Sequence, residues 1–213
     1  AAPGSKTAQM LCALGRNHQQ QQQDKEGTTN GLPFDYVGSS GLVMANEIDE
    51  KRSNMLVHQC KRIRSLFPFA VFTNHDARYL PNVSVPSSSS SSSSSSAEYF
   101  DKVLCDVMCS GDGTLRKAPA LLRSWRPFDA AQLQKSQIQV ALRGCHLLKV
   151  GGRLVYSTCS LNPIENEAAV SQILLRTNGA LKLIDPRPIL PGLKCDPGMR
   201  TWTVMRNDGS IVT

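Results

Sequence analysis

The stretch Lys102-Val103-Leu104-Cys105-Asp106-Val107-Met108-Cys109-Ser110 decides the fold. Its short apolar run predicts a buried strand over 102–107 that delivers Asp106 and Cys109 at its carboxyl end. A second run, Arg153-Leu154-Val155-Tyr156, predicts another strand that ends in Ser157-Thr158-Cys159-Ser160. In an open α/β sheet, ligands bind in the crevice outside the carboxyl ends of the strands. Two thiols and one carboxylate therefore converge on one cleft, which points to cysteine nucleophile chemistry. A small buried hydrophobe is the commonest fate of a cysteine. The polar Ser-Thr-Cys-Ser context at a strand end argues against that fate for Cys159.

Strands and helices alternate outward from this pair. Upstream, Ser5 is a cap for a helix carrying Met10, Leu11 and Leu14, with Gly15 as its stop. Residues 41–45 and 69–72 read as strands. Between them Asp49 caps a helix from Glu50 to about Arg64, with Met55, Leu56 and Ile63 inward. Downstream, a helix over 130–148 is terminated by Gly151-Gly152. The next helix starts with Asn162 as cap and Pro163 at the first position. Residues 181–184 and 201–204 are expected to be closing strands. This order predicts an α/β domain with a mostly parallel sheet covered by helices on both faces.

Two low-complexity segments interrupt it, at about 17–40 and 81–97. The first holds Gln19 to Gln23 and the second ten consecutive serines. Neither composition can bury apolar surface, so both are expected to be flexible insertions in a single domain of 213 residues.

The net charge of +7 favours an anionic partner. Between Arg116 and Arg153 the cations Arg116, Lys117, Arg123, Arg126, Lys135, Arg143, Lys149 and Arg153 are opposed only by Asp129. Such a segment can neutralise phosphates, or it can be a solvated helix face. Seven cysteines without a Cys-x-x-Cys pair suit a reducing compartment and give no zinc pattern. His75 and His146 lack metal-ligand spacing. No apolar run is long enough to span a bilayer.

Ala2-Pro3-Gly4-Ser5-Lys6 at a helix start offers backbone amides to a polar ligand or forms a plain turn. It matches neither the P-loop nor the dinucleotide glycine pattern. Glu47, after the strand over 41–45, can hold ribose hydroxyls or serve as a polar loop residue. Asp76, in Asn74-His75-Asp76-Ala77, has the same choice between ligand and turn.

Taken together, these motifs resemble the RNA cytosine-C5 methyltransferases of the NOL1/NOP2/Sun family. Five stretches match in order: Ala1 to Thr7, Ala45 to Asp49, Asn74 to Ala77, Asp106 to Thr114, and Tyr156 to Glu165. The segments Ser110 to Lys117 and Pro191 to Lys194 look closest to the tRNA-methylating branch. The resemblance implies a Rossmann-like fold that binds S-adenosylmethionine. Ala1, Ala2, Pro3, Gly4, Ser5, Lys6 and Thr7 would wrap the cofactor's methionine part. Glu47, where Asp is usual, would hold the ribose. Asp76 would lie beside the adenine, and Asp106 at the boundary of cofactor and target base. Cys159 matches the nucleophile and Cys109 the cysteine that assists product release. Lys6 is the candidate cation beside the thiolate. Arg116, Lys117, Arg123 and Arg126 would contact RNA, most naturally tRNA.

The chain departs from the family in two ways. The family reads Asp-x-Pro-Cys where Met108 stands here, and it carries a strand before Ala1 that is expected to be central to the sheet. Met108 keeps open a noncatalytic RNA-binding or scaffold module. A DNA cytosine methyltransferase, whose nucleophile lies where Cys109 does in a Pro-Cys motif, fits less well with Thr158-Cys159-Ser160 and the absent proline. A monomer without metal, resident in the nucleus or nucleolus, completes the expectations.

Overall fold

The computed structural model describes residues 2–23, 41–63, 69–82, 100–205, 208 and 210–212. Ala1 and the serine insertion lie outside them, as does the first insertion beyond Gln23. The chain packs as two compact units, Ala1–Leu80 and Pro81–Thr213.

In the first unit, α1 (Ser5–Gln23) and α2 (Glu50–Cys60) accompany β1 (Val43–Asn46) and β2 (Ala70–Thr73), which pair in parallel. Its core is Ala2, Leu11, Ala45, Leu56 and Cys60, with Val43, Phe69, Ala70 and Phe72 packed against them. Asp49 caps α2 as expected, accepting the Arg52 N–H at 2.8 Å. Three expectations are corrected here. Ser5 lies inside α1 rather than capping it, and α1 runs past Gly15 to Gln23. One interior glycine costs only about 1 kcal/mol against alanine, and glutamine propagates a helix well. Met55 is 49% exposed, so it is Leu56 that turns inward.

In the second unit, β3 (Phe100–Asp106) pairs in parallel with β4 (Leu148–Ser157), with Asp106 opposite Ser157. The helices α3 (Pro127–His146) and α4 (Glu167–Arg176) pack through Ile138, Ala141, Ala169 and Ile173, joined by Tyr156 and Leu181. A two-residue antiparallel pair follows, β5 (Val204–Met205) with β6 (Ile211–Val212). Gly151 and Gly152 do not terminate α3, which ends at His146. They form an irregular part of β4, where the register jumps between Phe100 and Lys102. The next helix begins at Glu167, not at Pro163. Residues 181–184 are irregular rather than a strand, and of 201–204 only Val204 joins one.

Candidate active site

The second unit brings together the two cysteines that the sequence singles out. Cys109 Sγ and Cys159 Sγ lie 3.1 Å apart, and the Cys159 N–H donates to Cys109 Sγ at 3.3 Å. Parallel pairing of β3 with β4 makes this possible, because it ends both strands at one edge. Val107 N–H donates to the Ser157 carbonyl at 3.1 Å and extends the ladder towards the thiols. Cys159 is exposed and Cys109 half-buried. Asp106, the last residue of β3, is exposed at the same edge.

The loop around each cysteine is tied down. Asp112 Oδ1 accepts the Leu161 N–H at 2.7 Å, and the Gly113 N–H donates to the Cys159 carbonyl at 3.0 Å. A Cβ at position 113 would meet that carbonyl oxygen at 2.7 Å, so only glycine allows so close an approach. After Cys159, Asn166 accepts from Thr158 Oγ1 at 2.6 Å and donates to the Ser160 carbonyl at 2.9 Å. Before Cys109, the Met108 carbonyl accepts from Gln137 Nε2 at 2.8 Å. After it, the Ser110 N–H donates to the Glu165 carboxyl at 3.0 Å. The sequence reading missed Gln137 and gave Glu165 no role. One signal was available: Gln137 falls on the stripe of α3 that also buries Ala130 and Ala141.

Burial pushes the Cys109 thiol up to about 11, and the bond to Cys159 adds to the shift. Cys109 therefore stays protonated through the neutral range. Burial likewise raises Cys60 and Cys105, the latter to about 12, which marks both as inert core thiols. Peptide mapping after iodoacetamide treatment is expected to show Cys109 nearly unmodified at pH 7 to 8. Its rate should climb about tenfold per pH unit towards 11 as thiolate forms. Modification at pH 7 as fast as at exposed Cys195 would contradict this.

Arg116, Lys117, Arg123 and Arg126 are all exposed in the loop between β3 and α3. They follow the turn Asp112–Thr114 that packs on Cys159.

The first unit holds the remaining candidates. Glu47 follows β1 and is 6% exposed. Its Oε2 accepts the Ala2 N–H at 3.0 Å, and Arg52 Nη2 lies 3.5 Å away. Burial raises the Glu47 carboxyl, while hydrogen bonds from the Ala2 and Asp49 N–H groups lower it. Gly4 adopts φ +111°, and a Cβ there would lie 3.1 Å from Leu56 Cδ1, so the Ala2–Gly4 turn enters α1 against α2. Ser5 and Lys6 are exposed in the first turn of α1 and Thr7 is buried. Asp76 follows β2 and is held by Arg78 through its N–H at 2.9 Å and Nη2 at 2.6 Å. That ion pair draws its carboxyl below the usual range. Both acids stand after parallel strands, the place that suits hydroxyl groups of a nucleoside. A carboxylate has about four acceptor sites, so Glu47 keeps capacity beyond the Ala2 bond. The residues present thus fit an adenosine cofactor. Among the described residues there is no group of three potential metal ligands. No described helix is long and apolar enough to cross a membrane.

The family model described as 16S rRNA methyltransferase RsmB/F matches residues 33–198. The chain belongs to the RsmB/F methyltransferase family. This is the Sun-type family that the sequence motifs resemble. The RsmB/F-family chain is 45% identical over 204 residues to the tRNA (cytosine(34)-C(5))-methyltransferase of Drosophila melanogaster, covering 95% of this chain and 24% of that protein. It is also 45% identical over 210 residues to a multisite-specific tRNA:(cytosine-C(5))-methyltransferase, trm4b, of Schizosaccharomyces pombe, covering 96% and 30%. The chain thus spans under a third of these relatives. NSun6 from Pyrococcus horikoshii, crystallised with SFG, superimposes with a TM-score of 0.51 at 24% identity over 64% of this chain and 31% of that one. The RsmB/F fold is accordingly α/β and Rossmann-like.

Proposed function

We propose that this chain is the catalytic part of an S-adenosylmethionine-dependent RNA cytosine-C5 methyltransferase acting on tRNA. The observation that carries the reading is the pair of thiols 3.1 Å apart at the ends of β3 and β4, with Asp106 at the same edge. Membership of the RsmB/F family and the names of the tRNA-modifying relatives support it.

Carbon 5 of cytosine is a poor nucleophile. The Cys159 thiolate adds to carbon 6, forming a carbon–sulfur bond and turning the ring into an enamine with electron density on carbon 5. S-adenosylmethionine supplies the methyl group when bound. Ala1 to Thr7, Glu47 and Asp76 are assigned to holding it. Asp106 hydrogen-bonds near ring nitrogen 3 and stabilises charge as the adduct forms. A base then takes the proton from carbon 5, the sulfur–carbon 6 bond breaks, and Cys159 leaves as thiolate. Cys109, protonated at neutral pH, is not a competing nucleophile, and it assists this release. Lys6 is the cation assigned to favour the Cys159 thiolate. The target base must leave its stack at a cost of about a few kcal/mol. Phosphate contacts from Arg116, Lys117, Arg123 and Arg126 offset that. Nuclear residence and a monomeric state belong to the same proposal.

The test is methyl transfer from labelled S-adenosylmethionine to an unmodified tRNA transcript, using the whole protein that carries this chain. Label on cytosine carbon 5 is expected. RNA binding without label would favour the noncatalytic reading that Met108 keeps open.

A further inference from the structure

Cys109 sits between two clamped peptide groups. The Met108 carbonyl on one side accepts from Gln137 Nε2 at 2.8 Å. The Ser110 N–H on the other donates to Glu165 Oε2 at 3.0 Å and to Oε1 at 3.2 Å. Gln137 Nε2 also reaches Glu165 Oε2 at 3.3 Å, so the two halves of the clamp are joined. Both side chains are fully buried and come from separate elements, α3 and the turn before α4. Neighbouring bonds hold them in turn. The Glu165 carbonyl accepts the Tyr156 hydroxyl at 2.7 Å, and Gln134, three residues before Gln137, donates to the Ile164 carbonyl at 2.8 Å.

Packing alone does not account for glutamine here. Its Oε1 is buried without a hydrogen-bond partner, a cost that an apolar side chain of the same size would avoid. The amide is retained for what its nitrogen does, and its nitrogen holds the carbonyl that precedes Cys109. A methionine at position 108 leaves φ free to vary, where a proline ring would fix it.

We infer that Gln137 and Glu165 are positioning residues that fix the backbone on both sides of Cys109. Their role is to keep the Cys109 thiol against Cys159, and it rests on the reading of Cys109 as the sulfur that assists product release. Loosening the clamp leaves the Cys159 nucleophile in place and slows the breakdown of its adduct.

The experiment uses the whole protein with Gln137→Met, which keeps volume and removes the amide. Two quantities are read: the alkylation rate of Cys109 at pH 8, and the fraction of RNA held covalently on a denaturing gel during turnover. Both are expected to rise about fivefold, the worth of one lost hydrogen bond, while first-turnover methylation stays within about twofold. Adding Met108→Pro should reverse at least half of each rise. If Gln137→Met does not fold, Glu165→Met, of similar length, removes the acceptor that Ser110 and Gln137 share and is read in the same way. Unchanged alkylation with a folded variant overturns the inference. So does a parallel loss of melting temperature and first-turnover rate without adduct. Cys109→Ala separates the two readings. If it accumulates no adduct while Gln137→Met still speeds alkylation, the release role fails and the clamp stands.

Discussion

Replacing Cys159 by alanine is expected to lower methyl transfer to RNA by about 10⁴-fold or more, the scale on which a nucleophile that acts as part of a unit is lost. The side chain is exposed, so its removal leaves no large cavity, and the Gly113 bond is made to the Cys159 carbonyl, which alanine keeps. The variant should therefore keep the wild-type melting temperature and RNA affinity, and it should form no covalent RNA adduct. Single-turnover label transfer is the measurement. Residual transfer above about one per cent would move the nucleophile elsewhere, with Cys109 the first alternative, although its raised pKa makes it a poor one at neutral pH.

The second large effect concerns the first unit. Leu56→Ala is expected to destabilise that unit by about 2–5 kcal/mol, the range for emptying a fully buried leucine site. Leu56 has no solvent exposure, it packs with Leu11 and Ala45, and its Cδ1 lies where a Cβ on Gly4 would come within 3.1 Å. The lost methyl groups thus leave a void directly beneath the turn that precedes α1. Hydrogen exchange should show weakened protection across α1, β1 and α2, and calorimetry should show weaker S-adenosylmethionine binding. Protection within about 1 kcal/mol of wild type would mean the site collapses without cost.

The parallel pair β3–β4 and the cap of α2 were legible because each carries a local chemical mark. One apolar run ends at Asp106 and the other runs into the polar stretch 157–160, and Asp49 precedes a helical pattern by one residue. The start of α4 was not. Asn162 does accept the Ile164 N–H at 3.0 Å, as a capping residue would. The helix nevertheless waits until Glu167 because the two residues before it serve the site: Glu165 bonds Ser110 and Gln137, and Asn166 bonds Thr158 and Ser160. Tertiary demands overrode the local signal. For Gln137 the buried stripe of α3 shows in the sequence, but its partner carbonyl 29 residues away does not. Gly15 misled for the opposite reason, since a lone glycine is a weaker break than its reputation in sequence patterns suggests.

The fifty-residue separation of Cys109 from Cys159 bears on how such a site comes into being. No hairpin can join the strands that carry them, because parallel partners require a crossover, here built on α3. The two sulfurs meet only after a long loop has closed, and its entropy is spent before any strand bond forms. Reactivity is therefore a late product of folding. A nascent or partly unfolded chain carries both thiols far apart, and the pair exists only once the crossover helix has docked.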